Sequence, residues 1–193
     1  PIPDDKLADI PFFNDPPVAS FTVAPNPVAA GDLAFVNASA SRDVDGRITA
    51  AEAELIFQTG AFTGSMFQNA PQAMFTRYDL ENVKTVSYEV VSNRPKVNSF
   101  RAPCVPQIVF GVEGVIDELA KKIGMDPIDL RLKNAAKEGY KTIYGDVFGP
   151  IGFVETLEAA KRCEHYNAPK KPGTGRGVAA RVWLKPPRPT ENN

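Results

Sequence analysis

The sequence predicts an α+β chain: strands first, then two or three helices, then a proline-rich end. Three observations carry that expectation. Apolar and polar residues alternate between turn signals in PVASFTVAPNPVAAGDLAFVNASASRDVDG and again in YDLENVKTVSYEVV, the period of half-buried strands. Apolar residues then recur at helical spacing from about Val105 to Ile123. Finally, Gly124 followed by Asp126-Pro127 ends one helix and starts the next with an N-cap and a proline in the first turn.

In chain order, Phe21 and Val23 would share one strand face, with Leu33 and Phe35 on the following strand. Residues 16–45 resemble the opening of a PKD-type β-sandwich, an immunoglobulin-like module, of which only the first two or three strands would be present. At DVDGRIT the character changes. GRITAAEAELIFQTGAFTGS reads as a strand burying Ile48, Leu55 and Ile56, closed by a glycine-rich turn. A boundary is therefore expected near 43–50, with the N-terminal strands making few contacts with the rest. That divides the chain into a β-rich piece, 1–45, an α+β region, 46–183, and a disordered proline-rich tail, 184–193.

Residues 78–100 read as two strands broken at Ser92-Asn93-Arg94-Pro95. In the helix that follows, Ile108, Val112, Val115, Ile116, Leu119 and Ile123 form one apolar stripe. Gly111 and Gly114 each cost a helix about 1 kcal/mol relative to alanine, so they predict close packing against another backbone. A second helix runs to about Ala136, and a third, Ile151 to Cys163, turns Phe153, Leu157 and Ala160 inward. Gly173 to Gly177 lacks the final Lys-Ser/Thr of a P-loop, and its spacing is not that of the dinucleotide fingerprint.

Composition excludes several functions. The 193 residues suit one domain or two small ones, and 43% hydrophobic content is enough for a core. A net charge of −1 argues against a nucleic-acid partner or a polybasic membrane surface. No apolar run approaches the roughly 20 residues that span a bilayer, and no secretory leader is visible at the start. A cytoplasmic location is expected, or export if the PKD-like segment dominates. Two cysteines and one histidine are too few for a disulfide framework or a histidine-rich metal centre.

Among chemistry-bearing side chains, Glu113, Asp117 and Glu118 precede Lys121 and Lys122 on the first helix. They predict a solvated face with Asp117–Lys121 and Glu118–Lys122 pairs. His165 follows a helix end, where it would cap carbonyls. Arg101-Ala102-Pro103-Cys104-Val105-Pro106-Gln107 is a turn delivered into a helix start, the arrangement by which free N–H groups hold anionic cofactors.

That turn, within NRPKVNSFRAPCVPQIVFGVEGVIDELAKKIGMDPIDLRLKN, resembles the molybdopterin-binding large subunit of the xanthine dehydrogenase and aldehyde oxidase family; the likeness covers about 46–183. The family pattern is close to Arg-Ala-Pro-Gly-x-Pro-Gln. The resemblance implies that Arg101, Ala102, Pro103, Cys104 and Gln107 lie against molybdopterin, in its cytosine dinucleotide form, with iron–sulfur and flavin subunits as partners. It implies oxidative hydroxylation of an aldehyde or aromatic heterocycle in an intact enzyme. Cys104 replaces a family glycine and is offset by two positions from the copper-binding cysteine of carbon monoxide dehydrogenases, so a packed thiol is expected rather than a metal ligand. Asn69 stands where purine-acting members carry an arginine, which argues against purines. The family's catalytic glutamate belongs to a Gly-x-Gly-Glu segment that this sequence does not contain. The expectation is thus a fragment or chimera with no catalytic residue of its own, inactive alone and not retaining the cofactor. The alternative is a non-catalytic PKD-like binding or adhesion module.

Overall fold

A computed structural model describes residues 19–23, 33–42, 45–64, 69–98, 102–143 and 145–181, with side chains from residue 45 onward except those of Asn69 and Gln72. Its centre is a four-stranded sheet in the order β1 (Ala19–Val23), β2 (Leu33–Arg42), β3 (Ile48–Gly60), β4 (Asn82–Val91). β1–β2 and β2–β3 are antiparallel, with Phe21 opposite Ala38 and Val36 opposite Leu55. β3 and β4 are parallel, with Leu55 opposite Ser87. Parallel neighbours cannot be joined by a hairpin, so the chain crosses over through residues 61–81, which include the short helix α1 (Asn69–Ala73).

This sheet corrects the expected division of the chain. Residues 33–42 form an inner strand whose ladder to β3 continues to Arg42–Ile48, so the N-terminal strands do not make few contacts with the rest. The reason is backbone hydrogen bonding: β3 is buried along much of its length, and its peptide groups need a ladder partner on each side. The 43–50 region is itself anchored. Asn134 accepts from the Ile48 N–H (2.8 Å) and donates to the Gly46 carbonyl (3.1 Å), while Lys133 pairs with Asp45 at 2.9 Å.

β3 alternates as the pleat requires. Ala51, Ala53, Leu55 and Phe57 are buried, whereas Glu52, Glu54, Ile56 and Gln58 are half-buried on the opposite face. Ile56 therefore does not share the core with Leu55. Residues 78–100 supply one ladder strand, β4; the described residues beyond it, 92–98, run without a ladder. At the β3 end, Gly60 (φ 78°) lies so close to Pro95 that a Cβ there would meet its carbonyl oxygen at 2.1 Å.

Helix α2 (Val105–Ile123) packs on β1 and β2. Ile108, Val112, Val115, Ile116 and Leu119 are buried with Leu55, Phe57, Met74 and Tyr78. Each such side chain contributes about 1.5–3 kcal/mol on burial. Gly111 is buried, in keeping with close approach, and Gly114 is half-buried. The left-handed Gly124 (φ 68°) ends the helix. Helix α3 (Pro127–Asn134) starts as predicted: Asp126 Oδ1 accepts from the N–H groups of Ile128 (2.8 Å) and Asp129 (3.1 Å).

Helix α4 (Phe153–Arg162) buries Phe153 and Leu157 against Ile128 and Ala135. Ala160, expected inside, is exposed. An edge-on contact between Tyr78 and Phe153, 6.4 Å between ring centroids, joins this smaller core to the main one. His165 sits exposed in the single-turn helix α5 (Glu164–Asn167). Asn167 is the residue that supplies capping donors, to the carbonyls of Lys161 (2.8 Å) and Cys163 (2.9 Å). Residues 174–181 form no strand. They run as a strap held by side chains of the helices: Arg131 donates to the Val178 carbonyl and Glu113 accepts from the Ala180 N–H. The tail expected to be disordered, 184–193, lies outside the described residues.

Candidate functional site

The loop entering α2 has an unusual backbone. Ala102 (φ 52°) and Cys104 (φ 64°) are the described non-glycine residues with positive φ. For an L-residue the left-handed region costs on the order of 1 kcal/mol. At Cys104 this explains why the resembling pattern has glycine: the turn itself requires the conformation. The Val105 N–H donates back to the Ala102 carbonyl (3.0 Å) and the Ile108 N–H to the Cys104 carbonyl (3.2 Å), which closes the loop onto the helix. No side chain caps the start of α2, and a proline stands in its first turn.

The predicted site residues divide unevenly. Ala102, Pro103, Cys104 and Gln107 are brought together at this helix start, each half-buried. Gln107 Oε1 is buried there without a hydrogen-bond partner. Arg101 lies outside the described residues, and of Asn69 only the backbone, at the start of α1, is described. Burial pushes the Cys104 thiol up to about 11, so it stays protonated at neutral pH and is a poor metal ligand. Among the described residues no three histidine, cysteine or carboxylate side chains gather as a metal site.

One part of the molecule was misread from sequence. Glu113 is not on a solvated face; it is 3% exposed and sits at the centre of a buried charge cluster. Its Oε1 accepts from Arg77 Nε and the Tyr78 hydroxyl, both at 2.8 Å. Its Oε2 accepts from Arg131 Nε (2.8 Å) and from the Ala180 N–H of the strap (2.9 Å). Arg131 also pairs with Asp117 at 2.7 Å, in place of the expected Lys121, and donates to the Val178 carbonyl at 2.8 Å. Burial pushes the Glu113 carboxyl up, but the Arg77 and Arg131 guanidiniums and the Ala180 N–H outweigh it and hold the group below its ordinary value. Tyr78 is raised, by burial and then by the neighbouring carboxylate, and stays a neutral donor. Arg77, Tyr78 and Arg131 were not foreseen as partners. A signal existed: Glu113 stands within the apolar stripe between Val112 and Ile116, where a carboxylate must be paired if the face is buried.

The candidate site is thus a loop with two left-handed residues that enters an uncapped helix lying over a mixed sheet. Residues 32–135, more than half of the chain, match the model of the molybdopterin cofactor-binding domain, and the chain belongs to that family. It is a region of a molybdopterin-binding large subunit of the xanthine dehydrogenase and aldehyde oxidase family of oxidoreductases. The nicotinate dehydrogenase large molybdopterin subunit of Eubacterium barkeri is 36% identical over 121 residues, 61% of this chain and 28% of that protein. The aldehyde oxidoreductase of Megalodesulfovibrio gigas is 32% identical over 98 residues, 49% of this chain and 11% of that protein. The solved aldehyde oxidoreductase from Desulfovibrio gigas superposes with a TM-score of 0.61 at 25% identity, covering 66% of this chain and 14% of the other. The chain thus spans about a quarter, or less, of the length of these relatives. The family match begins at residue 32, within the segment that reads as PKD-like, so β2 belongs to the family region.

Proposed function

We propose that this chain supplies one wall of the cofactor site in a molybdenum-dependent hydroxylase acting on an aldehyde or aromatic heterocycle, and does not catalyse alone. The observation that carries this reading is the left-handed Ala102–Cys104 loop, entering an uncapped helix beside the unpartnered Gln107 Oε1, in a chain of the molybdopterin-binding family. Arg101, Ala102, Pro103, Cys104 and Gln107 are the residues that would line the cofactor, taken as the cytosine dinucleotide form. Ala102 keeps side-chain bulk from the approach, and Gln107 Oε1 accepts a hydrogen bond from it. Cys104 fills the glycine position as a neutral thiol. When bound, the molybdenum centre supplies the oxidation chemistry; iron–sulfur and flavin subunits would carry electrons away. The base and the opposing wall would come from outside this chain, and a cytoplasmic location suits such an assembly.

The test is expression of the full chain in a host that makes molybdopterin, followed by metal analysis of the purified protein. The expected result is no stoichiometric molybdenum and no dye-linked oxidation of an aldehyde or heterocycle. Stoichiometric metal with activity would overturn the reading of an incomplete site. Any residual binding should fall further in Arg101→Ala than in Cys104→Ala; the reverse order would mean that Cys104 ligates the metal.

A further inference from the structure

We propose that Asp45-Gly46 is a modification site, an aspartyl linkage that isomerises to isoaspartyl once the end of α3 no longer holds it. The site lies apart from the cofactor loop and does not depend on the reading above. The sequence holds one Asp-Gly pair and no Asn-Gly pair. In such a pair the glycine nitrogen attacks the aspartyl Cγ, because the following residue has no side chain to obstruct the ring. The N–Cγ bond forms, the Cγ–O bond breaks, and the carboxyl OH leaves with the amide proton as water, giving a succinimide. Water then reopens the ring at the former main-chain carbonyl. The net change is an isomerisation that needs only solvent.

The turn does not readily dispense with its glycine. Gly46 has a φ of 91°, and a Cβ there would stand 2.8 Å from Met125 Cε. The Asp45 side chain is 57% exposed, so water reaches it. The fold keeps the reactive pair and restrains it instead. Asp45 Oδ1 accepts from the Arg47 N–H and Oδ2 from Lys133 Nζ, both at 2.9 Å. With both oxygens engaged, Cγ cannot swing over the Gly46 nitrogen without breaking one of these bonds. Asn134 fixes the other side of the turn through the Gly46 carbonyl (3.1 Å) and the Ile48 N–H (2.8 Å). The Arg47 N–H, then the Lys133 ammonium, also holds the Asp45 carboxyl below its ordinary value. At neutral pH the nitrogen therefore faces a carboxylate, whose carbon is a poor electrophile.

Lys133 and Asn134 are the last two residues of α3, so undocking of that helix removes both restraints together. Isomerisation then moves the Asp45 Cβ into the main chain. It lengthens the link between β2 and β3 beside the Arg42–Ile48 pair that closes their ladder. A joint altered in this way no longer presents the Gly46 carbonyl and the Ile48 N–H to Asn134 at their original spacing. The site thus records time that the chain has spent open.

The test ages the full chain at neutral pH, folded or in urea, and measures isoaspartate at position 45 by peptide mapping and by labelling with an isoaspartyl methyltransferase. The folded parent should accumulate it severalfold more slowly than the unfolded parent. Lys133→Ala should raise the folded rate severalfold at an unchanged urea midpoint, with Lys133→Met as a second variant that keeps the side-chain stem. Parent aged in urea and then refolded should show a lower urea midpoint than fresh parent taken through the same cycle. Asp45→Glu, which lacks the five-membered ring route, should give no signal at this position. The proposal falls if the unfolded parent forms no isoaspartate at 45 or the folded parent forms it equally fast. It falls too if both Lys133 variants keep the parent's rate, or if aged and fresh chains have the same midpoint.

Discussion

Replacing Glu113 by glutamine tests whether the buried charge cluster organises this fold. The substitution keeps the shape of the side chain and removes its charge. In the parent, one carboxylate receives Arg77 Nε, the Tyr78 hydroxyl, Arg131 Nε and the Ala180 N–H, all within 2.9 Å. A glutamine offers one oxygen and one NH2 group, so whichever way it is turned, two of the four donors face another donor. Arg77 also loses its counter-charge at 0% exposure, and Arg131 keeps only Asp117. Removing one partner from a buried ion pair costs about 3–5 kcal/mol, a large part of the roughly 5–15 kcal/mol that holds a domain together. In a chain of this size that corresponds to a fall in melting temperature on the order of 10 °C. Urea unfolding followed by far-ultraviolet circular dichroism measures it, with Glu118→Gln as a half-exposed control expected to change little. A loss below about 1 kcal/mol at an unchanged urea slope would show that the cluster is dispensable and that packing alone sets the arrangement.

Acid should expose the same group from another direction. Because the folded-state pKa of Glu113 is depressed, its contribution is present above the unfolded value near 4.5 and is lost as pH falls through the lower folded value; Glu113→Gln should lack that part of the acid dependence in unfolding titrations. Asp126→Ala should cost about 1–2 kcal/mol in the same assay, since Asp126 both caps α3 and accepts from the Tyr166 hydroxyl at 2.7 Å. With a thiol-reactive dye at pH 8, exposed Cys163 should react fast and Cys104 about a hundredfold more slowly; equal rates would mean the loop opens freely. Gly60→Ala should lower stability by more than about 1 kcal/mol, since the new Cβ has a positive φ and the Pro95 carbonyl to contend with; an unchanged urea midpoint would show that the 92–98 segment yields.

Helix α2 was legible because its stripe, its glycine stop and the capped start of α3 are local signals that agree with one another, and its bounds are those read from sequence. Strand periodicity likewise announced β1 to β4, but periodicity does not say which strand pairs with which. The change of composition at DVDGRIT suggested a boundary, whereas the structure runs β2 and β3 as neighbours across it. The loop residues were found through a family pattern, while the reason for that pattern, left-handed backbone at Ala102 and Cys104, is geometric. The charge cluster stayed hidden because Arg77, Glu113, Arg131 and Ala180 come from four separate segments. Charged residues on a helix read as solvent-facing until a partner brought from afar is seen.

The strap gives this architecture a direction in time. The bond from Ala180 to Glu113 spans 67 residues and that from Arg181 to Ala73 spans 108. A growing polypeptide therefore presents Glu113, Arg77 and Arg131 to one another well before the residues that complete their hydrogen bonding have been synthesised. Closing loops of that length is entropically slow, and until it happens a nascent chain carries a half-finished charged interior open to water. Until the strap is in place, Glu113 lacks the Ala180 N–H and Arg131 lacks the Val178 carbonyl that complete their hydrogen bonding.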